Sequence, residues 1–243
     1  MVIAEGPARR DLVWETRFVM LAFLFPAVAS AVILLVQHVS GVGNITRFPT
    51  IVAGHPVTNL VVGVFEYVGV AVVVPLALLL LTRTGQSPST LGLGWPRFVQ
   101  DIWPGAGLAL ASFVAEIPVA LLLSPVLAHD STAVNRISIG HVPDYYVIWG
   151  IAMSAITAIA EEVLVNGYLI TRLGQLGWTP RSALILSLAL RTSYHVYYGL
   201  GFVLTIPFGY LVTRSFQKHH RLNRSIAAHF LFDAVLSTIA ILS

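Results

Sequence analysis

Two adjacent glutamates interrupt an apolar stretch that otherwise has the composition of a membrane helix. The stretch runs from Tyr145 to Val165 and is almost entirely apolar, yet it includes Glu161 and Glu162. An ionisable side chain at the centre of a membrane helix costs roughly 2.5–3.5 kcal/mol on insertion scales, so such residues usually line a cavity or pair with another group. We therefore expect these carboxylates to belong to a reaction centre.

Three further titratable residues lie in later apolar stretches. His195 lies in one of them, and His229 and Asp233, which are four residues apart and share a helix face, lie in another. A desolvated glutamate can act as a general base towards water, and a neighbouring imidazole can position that water or protonate a leaving amine. A second histidine with a polar partner can stabilise an oxyanion. These residue types predict a peptide hydrolase without a covalent nucleophile.

The composition predicts an all-α integral membrane protein. Of the 243 residues, 56% are hydrophobic and only 10% are charged, whereas soluble domains carry about 25% charged residues. The simplest organisation is a single membrane domain over residues 1–243. The absence of cysteine excludes disulfides, thiolate metal sites and a cysteine nucleophile. The basic residues are spread thinly, so we expect the lipid bilayer as a partner and no nucleic acid.

Seven stretches have the apolar character of segments that cross a bilayer, for which about 20 residues are needed. We predict a polytopic transmembrane helical bundle of about seven spans, with a range of six to eight because the sixth stretch is short. The predicted spans are Phe18–Val36, Leu60–Leu81, Ile102–Leu123, Tyr145–Val165, Ser182–Tyr198, Gly201–Val212 and Ile226–Leu242.

The distribution of basic residues predicts the orientation of these spans. With seven spans, eleven of the 14 Lys and Arg residues fall on the side that holds the N-terminus, and Arg47 and Arg136 fall on the opposite side. Cytoplasmic loops are enriched in Lys and Arg. We therefore expect a cell-membrane protein with its N-terminus in the cytoplasm and its C-terminus outside. The remaining basic residue, Arg191, lies inside the fifth predicted span.

Three short motifs occur in order along the C-terminal part of the chain. They are Glu161-Glu162-Val-Leu-Val-Asn166, Arg191-Thr-Ser-Tyr194-His195 and His229-Phe-Leu-Phe-Asp233. They resemble the motifs of the CPBP family, the CAAX-processing and bacteriocin-processing intramembrane glutamic endopeptidases, whose patterns are Glu-Glu-x-x-x-Arg, Phe-x-x-x-His and His-x-x-x-Asn. The resemblance covers residues 158–233, and each motif lies on a predicted span.

The resemblance implies a metal-independent endopeptidase with no cofactor, acting on a membrane protein or lipidated peptide near the cytoplasmic side. Glu161 would activate the attacking water and His195 would assist it. His229 and Asp233 would stabilise the oxyanion, and Glu162 would support the residues that contact the water and the substrate. An ionised carboxylate cannot donate a hydrogen bond, so Asp233 would either be protonated or orient His229.

Two positions depart from the family pattern. Asn166 stands where the family has arginine, and Arg191 stands where it has phenylalanine. We hypothesise that Arg191, which precedes His195 by four residues, supplies the missing cation and pairs with Glu162. In the alternative interpretation, Glu161 and Glu162 form only a structural ion pair with Arg191.

Two other functions remain open from the sequence. Glu161, His195, His229 and Asp233 also match a zinc ligand set, although the chain lacks a His-Glu-x-x-His helix and a zinc-bound Glu161 would leave no evident base. A non-enzymatic role, as a transporter or as a scaffold or immunity protein of the same family, is the third hypothesis. The lack of an inverted repeat or a pair of discontinuous helices weakens transport.

Overall fold

All secondary structure in the described part of the chain is helical, as the composition predicted. The computed structural model describes residues 6–39, 70, 72–127 and 146–242. The α-helices are α1 (Gly6–Val39), α2 (Val72–Thr82), α3 (Trp95–Leu127), α4 (Tyr146–Glu161), α5 (Thr171–Gln175), α6 (Pro180–Ser193), α7 (Thr205–His219) and α8 (Leu222–Leu242). A π-helical segment, Glu162–Ile170, joins α4 to α5, and a 3-10 segment, Val196–Leu204, precedes α7.

Three stretches within the described residues are long and apolar enough to cross a membrane. They are Ala8–Ala29 in α1, Trp95–Val126 in α3 and Val147–Gln175, which runs through α4, the π segment and α5. These stretches support the predicted membrane protein and three of its spans. α2 is a shorter apolar helix, and residues 60–69 and 71 of its predicted span lie outside the described residues.

The predicted fifth and sixth spans differ from the helices that form. α6 ends at Ser193, Tyr194 and His195 follow in a turn, and the 3-10 segment begins at Val196. At 14 residues, α6 is about 21 Å long and falls short of the roughly 30 Å hydrocarbon layer. α7 continues through polar residues as far as His219. The turn therefore places His195 between two short helices and not inside a continuous span.

The π segment lies at the centre of the helical packing. Residues 162–169 are all buried, and α1, α6, α7 and α8 pack around them. Val163, Leu164 and Leu169 join the apolar core that α1 and α2 also line. A helix that is apolar on every side needs neighbours on every side. Because π-helical turns are rare and are frequently found at functional sites, this segment is a candidate location for functional residues.

Contacts between distant elements gather at one end of the helical packing. Asp101, near the start of α3, pairs with Arg221 at 3.0 Å, just before α8 begins. The Gln217 side-chain amide, near the end of α7, donates to the Pro180 carbonyl at the start of α6 at 2.8 Å. The basic residues that the loop analysis assigned to the N-terminal side lie on these helix ends and their connections.

The buried Arg172 ties the start of α1 to the same end. Its Nη2 lies 2.6 Å from Glu15 Oε1 and donates to the Leu80 carbonyl at 2.7 Å, while Nη1 donates to the Thr84 hydroxyl at 2.7 Å. The Tyr168 hydroxyl donates to the same Glu15 oxygen at 2.9 Å. One guanidinium thus fixes α1 and α2 against the helix that carries the π segment.

We predict that Glu15→Ala lowers the free energy of unfolding by about 3 kcal/mol, because it leaves the buried Arg172 charge without its carboxylate. Asp11→Ala is the matched control, since Asp11 is an exposed carboxylate one turn earlier on α1 and its loss falls within about 0.5 kcal/mol. Denaturant unfolding in detergent micelles measures both variants. Equal stability of the two variants would contradict the assignment.

Candidate active site

A single buried arginine joins the two adjacent glutamates. Arg191 Nη1 donates to Glu161 Oε2 at 3.0 Å, and Arg191 Nη2 lies 2.9 Å from Glu162 Oε1. The guanidinium is almost fully buried and lies 5.9 Å from the centroid of the Phe208 ring. The pairing of Arg191 with Glu162 is the contact that the sequence hypothesis required, and the structure extends it to Glu161. Although consecutive helical residues diverge by about 100°, one planar fork reaches both carboxylates.

Glu162 is held from every side and faces no solvent. Its Oε1 contacts Arg191 and also His229 Nδ1, which lies 2.9 Å away. Its Oε2 accepts a hydrogen bond from the side-chain amide of Asn166, one turn further along the π segment. The side chain of Glu162 is 0% exposed. A carboxylate with both oxygens engaged in this way is suited to positioning its neighbours and not to taking a proton from water.

A chain of small polar groups continues from Asn166 towards α6. The Thr213 hydroxyl donates to Asn166 Oδ1 at 2.9 Å. Since that bond uses the only hydroxyl hydrogen of Thr213, the Ser187 hydroxyl, 3.3 Å away, is the donor to Thr213. The amide of Asn166 therefore both donates and accepts in this network, and its orientation is fixed by two different helices.

His229 lies between two carboxylates on opposite sides of its ring. Nδ1 faces Glu162, and Nε2 lies 3.3 Å from Asp233 Oδ2, one turn later on α8. When the ring is protonated, both nitrogens donate, one to each carboxylate. Phe208 packs against the ring at 4.9 Å between centroids. His229 itself is buried, whereas the Asp233 side chain is 30% exposed.

Glu161 differs from Glu162 in exposure and in how its oxygens are used. Its side chain is 11% exposed, and Oε2 accepts from both Arg191 and the Tyr194 hydroxyl, the latter at 2.7 Å. In the described part of the chain, no hydrogen bond or ion pair reaches Oε1. Glu161 is thus fixed through one oxygen, and its side chain is more exposed than that of Glu162.

His195 is oriented by the backbone of the turn that follows α6. Its Nδ1 lies 2.7 Å from the Arg191 carbonyl oxygen. Because a carbonyl only accepts, Nδ1 carries the hydrogen and Nε2 is the acceptor nitrogen of the neutral ring. The ring packs 4.8 Å from that of Tyr194, which bonds Glu161. Arg191 and Tyr194 therefore position both His195 and Glu161.

The structure brings the seven residues singled out by the sequence into one connected group. Glu162 is the carboxylate in contact with His229. In the described part of the chain, Glu161 is connected to His195 through Tyr194 and Arg191. The residues expected to form the group are Glu161, Glu162, Asn166, Arg191, His195, His229 and Asp233.

Three contributors escaped the sequence analysis. The Tyr194 hydroxyl holds Glu161, and Thr213 and Ser187 complete the network behind Asn166. Tyr194 lies inside the second motif, so its proximity to His195 was a usable signal. The two hydroxyl residues belong to no motif, and only the packing of α6 and α7 against the π segment reveals them.

The described residues contain no group of three or more His, Asp or Glu side chains arranged to hold a metal ion. The place between the two glutamates, where a metal ion would bind, is taken by the Arg191 guanidinium. The permanent positive charge of an arginine opposes a divalent cation at the same carboxylates.

We predict that Arg191→Leu lowers the free energy of unfolding by about 3–5 kcal/mol, because it leaves two buried carboxylates without their cation. Arg181→Leu, an exposed arginine on the same helix, is the control and has little effect. Adding Glu161→Gln and Glu162→Gln to Arg191→Leu recovers part of the loss, since no unpaired charge then remains. Denaturant unfolding in micelles reports all three. An Arg191→Leu protein as stable as wild type would remove the basis of the assignment.

Comparison with known proteins agrees with the motifs. Residues 143–235 match the family described as "Type II CAAX prenyl endopeptidase Rce1-like". No curated protein and no solved structure matches the chain significantly. The matched range begins just before α4 and includes all three motifs, from Glu161 to Asp233. The resemblance predicted from the motifs is thereby confirmed, because residues 143–235 are similar to a CAAX protease-like family.

Proposed function

We propose that the chain is an intramembrane endopeptidase that hydrolyses peptide bonds with a water activated by Glu161. The observation that carries the proposal is the unequal use of the two adjacent carboxylates. Arg191 holds both, but Glu162 is 0% exposed and engaged through both oxygens, whereas Glu161 is 11% exposed and, in the described part of the chain, engaged through Oε2 alone. A fixed carboxylate with one oxygen directed at water is the geometry of a general base.

In the proposed reaction, Glu161 Oε1 takes a proton from water as the water oxygen attacks the carbonyl carbon of the peptide bond. The carbonyl π electrons move to oxygen and give a tetrahedral oxyanion. The carbon–nitrogen bond then breaks, and the departing nitrogen receives the proton through Glu161 or His195 Nε2, leaving a carboxylic acid and an amine. The Arg191 carbonyl keeps His195 in the tautomer in which Nε2 exchanges the proton.

We assign to His229 and Asp233 the stabilisation of the negative charge that develops on the carbonyl oxygen of the peptide bond. We assign the role of donor to His229 Nε2, which Asp233 holds at 3.3 Å until substrate arrives. Asp233 is the more exposed of the pair and lies at the entrance. In this assignment Asp233 orients His229 and supports its positive charge, which resolves how an acidic residue serves where the family pattern has asparagine.

The distribution of charge supports cleavage on the cytoplasmic side of a cell membrane crossed several times by the chain. Eleven basic residues were assigned to the N-terminal side, and the ion pairs of Arg172 and Arg221 lie at the end where those helix termini meet. Glu162 lies ten residues before Arg172, which corresponds to about 15 Å along the helix. A substrate anchored in the bilayer, either a membrane protein or a lipidated peptide, would meet the site at that depth.

A zinc hydrolase is the competing enzymatic interpretation, and the guanidinium between the glutamates argues against it. Zinc would have to displace Arg191 from Glu161 or bind a carboxylate already paired with a cation. The proposed base needs no such displacement. Metal dependence separates the two mechanisms directly.

We predict that Glu161→Gln lowers peptide hydrolysis by about 10²–10⁴-fold while the protein stays folded, because glutamine keeps the shape but cannot take the proton. His195→Ala also loses activity. The exposed residues Asp11 and His220 supply the controls Asp11→Asn and His220→Ala. The assay uses paired quenched-fluorescence peptides, one farnesylated and one unmodified, together with mass spectrometry of membrane peptides from cells carrying each variant.

A chelator series completes that experiment. Activity that survives a strong zinc chelator supports the glutamate-activated water. Activity that is lost with the chelator and restored by zinc identifies the metal enzyme instead. Identical peptide profiles for wild type and both site variants would reject proteolysis and leave the non-enzymatic hypothesis.

We also predict that the two departures from the family motifs compensate each other. Arg191→Phe alone removes the cation and abolishes activity. Adding Asn166→Arg returns a guanidinium beside Glu162 and recovers at least about tenfold of the lost activity, since a charge-assisted pair in a buried site is worth at least 1.4 kcal/mol. Asn166→Leu in the same Arg191→Phe background is the matched control, and it stays inactive. Recovery with leucine would contradict the compensation.

A further inference from the structure

A groove outside the site runs between α3 and α7 at the end where the basic residues gather. Its volume is about 670 Å³, within the range of roughly 300–1,000 Å³ typical of small-molecule sites. The wall on α3 is formed by residues at helical spacing i, i+3, i+4 and i+7, which share one face. These residues are Pro104, Gly107, Leu108 and Ala111.

The facing wall on α7 has the same spacing and changes from apolar to basic along its length. Leu211 lies at the deeper end, and Arg214, Ser215 and Lys218 follow towards the end of the helix. α3 and α7 run in opposite directions, because α3 starts and α7 ends where the helix termini meet. The groove therefore has an apolar floor, at Ala111 and Leu211, and a basic mouth.

Positive charge is in excess at the mouth. Arg224 and His219 line it together with Arg214 and Lys218. The nearest carboxylate, Asp101, lies 3.6 Å from Arg224 but is also bound by Arg221 at 3.0 Å. One buried carboxylate shared by two arginines leaves a net positive charge.

The histidine at the mouth responds to this charge. Slight desolvation and the neighbouring charges of Arg224 and Lys218 lower the pKa of the exposed His219. The mouth is therefore a place where an anion is stabilised.

The groove also lies at the level expected for a membrane surface. Trp103 precedes Pro104 on α3 and is exposed, and Trp178 is exposed just before Pro180, which also lines the groove. Exposed tryptophans concentrate at the headgroup level of a bilayer. From that level, the apolar wall of α3 leads away from the basic mouth and into the hydrocarbon layer.

We propose that this groove binds an anionic phospholipid of the cytoplasmic leaflet, with its phosphate at Arg214 and Lys218 and an acyl chain between α3 and α7. The combination of charge and shape selects this occupant. A soluble anion would use the basic mouth alone, whereas a neutral lipid would use the apolar floor alone. Gly209, on the opposite face of α7 from the groove, packs against Arg191, so the bound lipid would lie behind the site and outside it.

The test measures lipid binding by the intact protein in detergent micelles, and it does not depend on any activity. Phosphatidylglycerol and phosphatidylcholine are titrated separately and followed by native mass spectrometry and by thermal unfolding. Wild type should bind and be stabilised by phosphatidylglycerol selectively. Arg214→Gln/Lys218→Gln should weaken that binding by about thirtyfold, from the loss of two basic contacts with an anionic lipid.

Two further variants distinguish lipid binding in the groove from general attraction of anions to the basic surface. Arg83→Gln/Arg97→Gln removes two exposed arginines outside the groove and should leave binding unchanged. Ala111→Trp fills the floor of the groove from an exposed position while it keeps every basic residue, and it should abolish selective binding. Circular dichroism confirms that each variant remains helical.

Several results would overturn the proposal. Equal weakening by both double variants would reduce the effect to general attraction of anions. Unchanged binding by Ala111→Trp, or equal stabilisation by inorganic phosphate, would exclude an acyl chain in the groove, and equal binding of phosphatidylcholine would exclude charge recognition. Displacement of phosphatidylglycerol by a peptide with a free C-terminal carboxylate, but not by its amide, would make the groove a peptide site.

Discussion

The arrangement of the site depends on one buried guanidinium. Arg191 is almost fully buried and carries a permanent charge, so the surrounding helices must supply carboxylates to neutralise it. Glu161 and Glu162 do so from consecutive positions. The three side chains fix α6 against the junction of α4 and the π segment. The same fork leaves Glu162 fully enclosed and Glu161 slightly exposed, so two identical side chains differ in their surroundings.

The packing of α7 follows from this constraint. Arg191 needs apolar cover as well as carboxylates, and Phe208 supplies it at 5.9 Å. Gly209 allows the close approach, because a Cβ there would lie 3.0 Å from Arg191 Cδ and from Leu188 Cδ2. Phe208 also packs on His229, so one aromatic ring locates the arginine of α6 and the histidine of α8 relative to each other. The arrangement of the titratable side chains and the packing of the helices therefore rest on the same contacts.

The sequence predicted the class of fold and the members of the site better than it predicted helix ends and pairings. Apolar composition suffices to identify membrane helices, and the spacing of charged residues in apolar runs identified the group around Glu161. The turn at His195 was missed because both sides of it are apolar, so hydropathy shows no boundary there. Which of the two glutamates contacts His229 could not be predicted, because the burial that turns one carboxylate inward comes from helices distant in sequence.

The two departures from the family motifs make sense only as a pair. Arginine at both positions 166 and 191 would set two cations against Glu162, while asparagine and phenylalanine together would leave both carboxylates without a cation. Because Arg191 on α6 supplies the positive charge, residue 166 does not have to be cationic, and its amide can both donate and accept hydrogen bonds. It donates to Glu162 and accepts from Thr213, whereas arginine has no acceptor atom. The Thr213 and Ser187 hydroxyls therefore complete a hydrogen-bond network that depends on an amide, and not a guanidinium, at position 166.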